Sequence, residues 1–123
     1  YNSSGVKQWT KQFGTTSDEQ GLDMTVDSSD NIYITGYTGG ELDGNSKSGT
    51  DEDLFLVKYN SSVTKQWTKQ LGTSSNERGK GVTVDSNGNV YVTGSTEGEL
   101  DGKTNSGDLD LFLVKYNSSG IKQ

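Results

Sequence analysis

The stretch YNSSGVKQWTKQFGTT at residues 1–16 returns almost unchanged as YNSSVTKQWTKQLGTS at residues 59–74, and its first part returns again as YNSSGIKQ at residues 116–123. The tyrosines that open the three copies are therefore spaced 58 and 57 residues apart. Between them the motifs TVDS, GELDG and DLFLVK each occur twice, in the same order. A period of this length predicts a repeat architecture, in which each unit buries its apolar surface against the next unit.

Each repeat is predicted to contain four short strands separated by Gly, Asn, Asp and Ser. We place them, in roughly these positions, at Lys65 to Leu71, Gly79 to Asp85, Asn89 to Ser95 and Asp110 to Tyr116, with equivalents in the other copy. Asn87-Gly88 lies between two β-rich runs and predicts a tight hairpin, because both residues tolerate positive φ. The first repeat has Ser29-Asp30 there, a weaker but compatible turn.

The Leu-Phe-Leu-Val runs at residues 54–57 and 111–114 are apolar on both faces of the strand. Such a strand must be covered on two sides, and stacked four-stranded sheets around an axis provide that cover. The sequence therefore predicts an all-β fold of β-propeller blades, built from four-stranded antiparallel sheets, with two blade equivalents per chain. The residues expected in the buried layers between blades are Ile34, Phe55, Val57, Val92, Phe112 and Val114.

The motifs DLFLVKYNSSG, KQWTKQLG and GVTVDSNGNVYVTGST resemble the SBBP repeat, a bacterial β-propeller repeat, and the resemblance covers the whole chain. The turn spacing is also similar to that of NHL-type blades. This implies that the GVTVD strand is innermost, the NVYVTG strand second and the KQWTKQLG strand outermost. The resemblance also implies a bacterial, secreted or cell-surface setting, and it implies no catalytic residues. Two blades are too few to close a propeller of about four to eight.

The order of strands predicts an uneven division of the chain. Residues 1–14 form an outermost strand that completes a neighbouring blade, and residues 15–72 form the first blade. Residues 73–123 form a second blade with three strands and the start of an overlapping fourth. The chain starts at Tyr1 and inside a motif, as expected of a processed piece, an engineered fragment or a segment of something longer.

Complementary pieces at the two ends predict a head-to-tail homo-oligomer. The contact must close into a ring, with trimer and tetramer the favoured sizes, or continue as a filament. The overlapping residues 118–123 are expected to be displaced or frayed. The residues predicted to pair between chains are Trp9, Lys11, Phe13, Leu111, Phe112, Leu113 and Val114.

Acidic residues concentrate in the two loops that contain GELDG. Asp43, Asn45 and Asp51 offer oxygen ligands of the kind that Ca²⁺ takes. The second copy has Lys103 at the position of Asn45, which would place an ammonium beside a cation. The favoured interpretation is a solvated loop with Asx turns, and we predict neither a metal site nor a cofactor.

Composition excludes most enzyme classes. The chain has no Cys and no His, so it lacks a thiolate nucleophile and an imidazole base. The acidic residues recur equivalently in both copies, which indicates structure at the level of the repeat, and we predict no enzyme. A net charge of −6 with scattered lysines argues against nucleic acid and anionic membranes as partners.

The predicted function is a structural or protein-interaction module. The alternatives are a carbohydrate-binding, lectin-like propeller and an engineered or reconstructed repeat protein whose only function is assembly. Trp9 and Trp67 recur on the outermost strand, where they would be sugar platforms or, as we favour, packing residues. Asn2, Asn60 and Asn117 match the glycosylation sequon, but their shared place in a hairpin is better explained by turn formation.

Overall fold

The computed structural model describes all 123 residues and contains seven strands and two three-residue 3-10 turns. The strands are β1 (Glu19–Val26), β2 (Ile32–Thr38), β3 (Asp53–Tyr59), β4 (Lys65–Leu71), β5 (Glu77–Val84), β6 (Val90–Thr96) and β7 (Asp110–Tyr116). The turns, Leu42–Gly44 and Leu100–Gly102, lie in the two acidic loops. None of the helical segments has the length and apolar character that crossing a membrane requires.

The strands form two antiparallel sheets, as the sequence predicts. Blade 1 is the sheet β1-β2-β3-β4, and blade 2 is the three-stranded sheet β5-β6-β7. The bounds of β4 and β7 agree with the predicted ones, while β5 begins two residues earlier, at Glu77, and β6 runs to Thr96. The all-β propeller-blade prediction is therefore confirmed.

The hairpin at Asn87-Gly88 differs from the predicted two-residue turn. The Gly88 N–H donates to the Asp85 carbonyl at 3.0 Å, and the Asp85 N–H donates to the Asn89 carbonyl at 2.9 Å, so the turn is wider. Only Gly88 has positive φ (78°), because the Asp85 carboxylate accepts the Asn87 N–H and holds that residue in an Asx turn. Asp30 takes the left-handed position in the first repeat (φ 61°).

A β-bulge sits in the first strand of each blade, β1 and β5. The register between β5 and β6 shifts between Gly79 and Gly81, which brings the β5 backbone close to β6. A Cβ on Gly94 would lie 1.9 Å from the Arg78 carbonyl oxygen, so only glycine fits on β6 at this point.

Each blade has two apolar faces, which we name by their residues. The aromatic face carries Phe55, Val57 and Tyr59 in blade 1 and Phe112, Val114 and Tyr116 in blade 2. The leucine face carries Leu54 and Leu56 in blade 1 and Leu111 and Leu113 in blade 2. The aromatic face of blade 2 packs on the leucine face of blade 1 in one continuous core. Of the six residues predicted to be buried, five are buried and Ile34 is half-buried.

Candidate functional site

The leucine face of blade 2 is exposed. Leu54 and Leu56 of blade 1 are 0% exposed, whereas Leu111 and Leu113, their counterparts, are 81% and 68% exposed. The same side chains on the same strand are therefore core in one copy and surface in the other. With Leu109, which is 57% exposed, these two side chains form an exposed apolar patch on blade 2.

The outward surface of blade 1 is the matching aromatic face. Its outer part is covered by the chain itself, since Phe55, Val57 and Tyr59 pack with Leu42, Phe13 and Val63. Its inner part is open, because Met24 and Val26 on β1 are exposed. Val82, the counterpart of Met24, is buried against blade 1, so the inner strand of this face is covered wherever a preceding blade exists.

Strand β7 has an unpaired edge over most of its length. A groove of about 370 Å³ runs beside it and is lined by β7 and by residues of the second acidic loop. Lys122 forms a single antiparallel bridge with Tyr116, which corresponds to the first pair between β3 and β4. The groove is thus the position that β4 occupies in blade 1.

The N-terminal segment contains no strand. The outermost strand predicted within residues 1–14 is not formed in the chain on its own, and Trp9 is 53% exposed. Phe13 is half-buried, with its ring 6.1 Å from the Phe55 ring and 6.0 Å from the Tyr59 ring. The structure therefore brings Phe13 to the aromatic face of blade 1 and does not bring Trp9, Lys11 or Phe13 to β7 of the same chain.

Two of the residues predicted to pair between chains have a different role for their side chains. Phe112 and Val114 are buried in the core between the two blades. Only the backbone of these residues faces the open edge, because side chains point to the faces of a sheet and hydrogen-bonding groups point along it. Leu111 and Leu113 present both the backbone edge and an exposed side chain.

The prediction that residues 118–123 are displaced or frayed is wrong for the chain on its own. The Asn117 N–H donates to the Ile121 carbonyl and the Gln123 N–H to the Lys115 carbonyl, both at 2.9 Å. Gly120 is buried, where only a glycine fits against the Trp67 ring. The same Asx hairpin that precedes β4 therefore forms after β7 and holds the end of the chain.

A glutamate anchors the N-terminal segment to blade 1. The Glu19 carboxylate accepts the Thr15 N–H at 2.7 Å and hydroxyl hydrogen bonds from Thr15 and Thr38. Burial raises the pKa of Glu19, but these hydrogen bonds outweigh it, and the pKa lies below its ordinary value. Glu77 makes the same contacts to Thr73 and Thr96. Sequence reasoning missed these residues, although the recurring Thr-x-x-x-Glu spacing was their signal.

The acidic loops use their polar groups internally. Asp43 forms an ion pair with Lys65 and accepts a hydrogen bond from the Thr68 hydroxyl. Burial raises the pKa of Asp43, but these two partners outweigh it and lower the pKa overall. The Asn45 amide donates to the Leu42 carbonyl at 2.8 Å, while Asp51 is exposed.

Asp43 and Asn45, two of the three candidate calcium ligands, are therefore engaged with other groups of the chain. No group of three or more His, Cys, Asp or Glu side chains is placed to hold a metal ion. In the second loop, Asp101 pairs with Lys122 as Asp43 pairs with Lys65, and Lys103 is exposed.

The recurring Trp and Asn residues have structural contacts. Trp67 is half-buried and packs on Tyr33, with ring centroids 6.2 Å apart. The Asn60 side-chain oxygen accepts the Ser62 and Thr64 N–H groups at 3.1 and 2.9 Å. The same turn forms at the other two NSS motifs, so the turn-forming interpretation is confirmed.

The contact between the two blades also contains polar groups. The Arg78 guanidinium on blade 2 pairs with the Glu52 carboxylate on blade 1 and lies 5.1 Å from the centre of the Tyr37 ring. The Asp23 carboxylate accepts the Val82 N–H at 2.8 Å, across the blades and at the β-bulge. These polar contacts join blade 1 and blade 2 in addition to their apolar core.

Comparison with known proteins agrees with this architecture. Residues 8–43 and 66–101 each match a family described as a beta-propeller repeat, SBBP. The chain is 28% identical, over 100% of its length, to the regulatory protein FlaEY of Caulobacter vibrioides. It is 29% identical, over 96% of its length, to an uncharacterized WD repeat-containing protein of Acanthamoeba polyphaga mimivirus. The chain spans 14% of the first relative and 10% of the second.

Proposed function

Because the chain belongs to the SBBP family of β-propeller repeats, we propose that it is a structural, protein-interaction module whose copies assemble head to tail into a closed ring. The observation that carries the proposal is the leucine face of blade 2, which is exposed although the same face of blade 1 is fully buried. We propose that the chain has no catalytic activity and binds neither nucleic acid nor membranes. We also propose that it acts in a bacterial secreted or cell-surface setting.

The contact inside the chain supports a second copy as the partner. There the leucine face of one blade is covered by the aromatic face of the next. The aromatic face of blade 1 is open at Met24 and Val26 and offers the same surface to a neighbour. The leucine face of blade 2 in one copy would therefore receive blade 1 of another, and this contact is head to tail because the two surfaces differ.

The N-terminal segment supports the same arrangement. Phe13 already packs on the aromatic face of blade 1, as Leu71 of β4 packs on the core shared with blade 2. A neighbour that docks on blade 1 would bring the open edge of its β7 alongside this segment. By analogy with the register of β3 and β4, Phe13 would pair with Leu111, Lys11 with Leu113 and Trp9 with Lys115.

Residues 1–8 would take no part in this pairing. They repeat the hairpin of residues 116–123, which in the acceptor is already docked on β7 through Lys122 and Gln123. In the free chain residues 1–8 form the same turn but are exposed. The donated strand would therefore begin at Trp9, directly after Gln123 of the acceptor.

The number of blades limits the size of the ring. Each chain contributes two blades, so three chains would give six blades and four chains would give eight. A ring of seven blades would require half a chain. Contacts that fail to close would produce a filament of growing mass.

Light scattering after size exclusion tests the proposal. We expect the wild-type mass to be three or four times the 13.2 kDa of one chain at micromolar concentration. Leu111→Lys should be monomeric, because it places an ammonium in the middle of the docking face. Leu22→Lys is the matched control: Lys80 is the natural, exposed counterpart in blade 2, so assembly should be unchanged. A folded wild type that stays monomeric at micromolar concentration would refute the proposal.

A further inference from the structure

Gln70 on β4 makes more side-chain hydrogen bonds than any other residue of the outer strand. Its amide oxygen accepts the Leu42 N–H at 3.0 Å. Its amide nitrogen donates to the Gly40 carbonyl and to the Asp53 carboxylate, both at 2.9 Å. One side chain thus connects β4 to the acidic loop and to the start of β3.

The same arrangement exists in blade 2 without the glutamine. Leu100, Gly98 and Asp110 occupy the positions of Leu42, Gly40 and Asp53. The Gly98 N–H donates to the Thr96 hydroxyl at 3.0 Å, as the Gly40 N–H does to the Thr38 hydroxyl at 3.0 Å.

The loop contact of the aspartate is also preserved. Asp110 accepts the Ser106 N–H at 2.7 Å, as Asp53 accepts the Ser48 N–H at 2.9 Å. Leu100, Gly98 and Asp110 all line the groove beside β7. The groups that bind an amide side chain are therefore in place before any strand enters the groove.

We infer that this part of the groove is a receptor for one side chain of a second copy, Gln12. The inference rests on the proposed assembly and specifies what the acceptor recognises. In the register of β3 and β4, Gln70 lies opposite Phe55, so the donated Gln12 lies opposite Phe112. Its amide oxygen accepts from Leu100, and its amide nitrogen donates to Gly98 and Asp110.

Only an amide of this length satisfies all three groups. Leu100 presents a donor, while Gly98 and Asp110 present acceptors, so the incoming side chain must both accept and donate. A glutamate would bring a second carboxylate to Asp110, and a lysine offers no acceptor to Leu100. An apolar side chain would bury all three groups without partners. The receptor therefore selects the register of the donated strand as well as its presence.

The test compares three substitutions of glutamine by methionine, which has a similar length and no amide. We expect Gln12→Met to raise the dissociation constant of the assembly at least about tenfold, because its partners stay desolvated and unpaired. Gln8→Met should leave it unchanged, since the Gln8 amide donates only to the exposed Val6 carbonyl. Gln70→Met should lower the urea midpoint of the chain. The size of this decrease measures how much the same three hydrogen bonds stabilise the fold inside one molecule.

The outcomes separate this inference from the proposal beneath it. A wild type that never assembles refutes the proposed function. A wild type that assembles, with Gln12→Met assembling equally well, refutes the glutamine receptor and leaves the proposed ring intact. An unchanged urea midpoint for Gln70→Met would also refute the receptor, because the Gln70 contacts from which it is inferred would then contribute no stability.

Discussion

Leu56 and Leu113 occupy the same position of the repeat, so replacing each by alanine measures the environment of one side chain in two blades. Leu56 is 0% exposed and packs in the core between the blades, whereas Leu113 is 68% exposed on the leucine face of blade 2. The substitution is the same in both cases, and β3 and β7 have the same sequence, DLFLVKY. Any difference in effect comes from what covers the face.

The magnitudes differ severalfold. Removing a fully buried leucine side chain costs about 2 to 5 kcal/mol, through lost transfer free energy and the cavity left behind. Leu113 has about a third of its surface covered, so its truncation in the isolated chain costs roughly 0.5 to 1 kcal/mol. Leu56→Ala should therefore lower the free energy of unfolding by at least about 1 kcal/mol more than Leu113→Ala.

Urea unfolding of the dilute, monomeric chain, followed by Trp fluorescence, measures this difference. At high concentration the proposed contact buries Leu113. Leu113→Ala should therefore weaken assembly there, although it costs little stability in dilute solution. Equal losses of stability for both variants in dilute solution would show that the two leucine faces are equally covered, contrary to the structure. A Leu113→Ala chain that assembles as tightly as wild type would remove that face from the contact.

Three further outcomes follow from single contacts. Asp23→Ala should cost about 1 to 3 kcal/mol in urea unfolding because it leaves the Val82 N–H without an acceptor, whereas Asp23→Asn, which keeps an acceptor, should cost less. Arg78→Gln should cost at most about 1 kcal/mol at low ionic strength and nothing measurable at 1 M salt, because the Arg78 and Glu52 side chains are 44% and 27% exposed. Burial, and after it the charge of Asp101, raises the pKa of Tyr116 to about 12. The neutral phenol therefore stabilises the fold fully at pH values below the unfolded pKa of about 10, and this stability is lost as the pH rises toward 12. Tyr116→Phe should reduce the alkaline loss of stability, measured as urea midpoints between pH 9 and 11.

The repeat made the fold predictable because it gave two independent views of one unit. Each predicted strand was bounded by turn residues in both copies, and β4 and β7 have the predicted bounds. The two-faced Leu-Phe-Leu-Val run indicated stacking, since one sheet face alone cannot bury both sets of side chains. The propeller blades follow from these local signals with no knowledge of contacts between distant residues.

The features that the sequence did not predict depend on distant backbone groups. The bulge in β5 depends on a glycine in β6, and the wide turn at Gly88 depends on the Asp85 carboxylate. The docked hairpin at residues 117–123 depends on Trp67 from the other blade. A local pattern specifies an element, but it does not specify which atoms another element brings to it.

The two repeats differ at positions where the blades meet, and these differences separate the contact inside the chain from the one proposed between chains. Glu52, Arg78 and Asp23 provide the polar contacts between blade 1 and blade 2. Their counterparts in the other repeat are Leu109, Gln20 and Gly81, which can form neither the ion pair nor the carboxylate contact. A contact between chains would therefore be held by apolar packing, strand pairing and the Gln12 receptor, without the charged groups. The contact between chains would therefore respond little to salt. Because its polar groups differ from those of the contact inside the chain, each blade would distinguish its two neighbours, and the near-identical blades would still stack in one order.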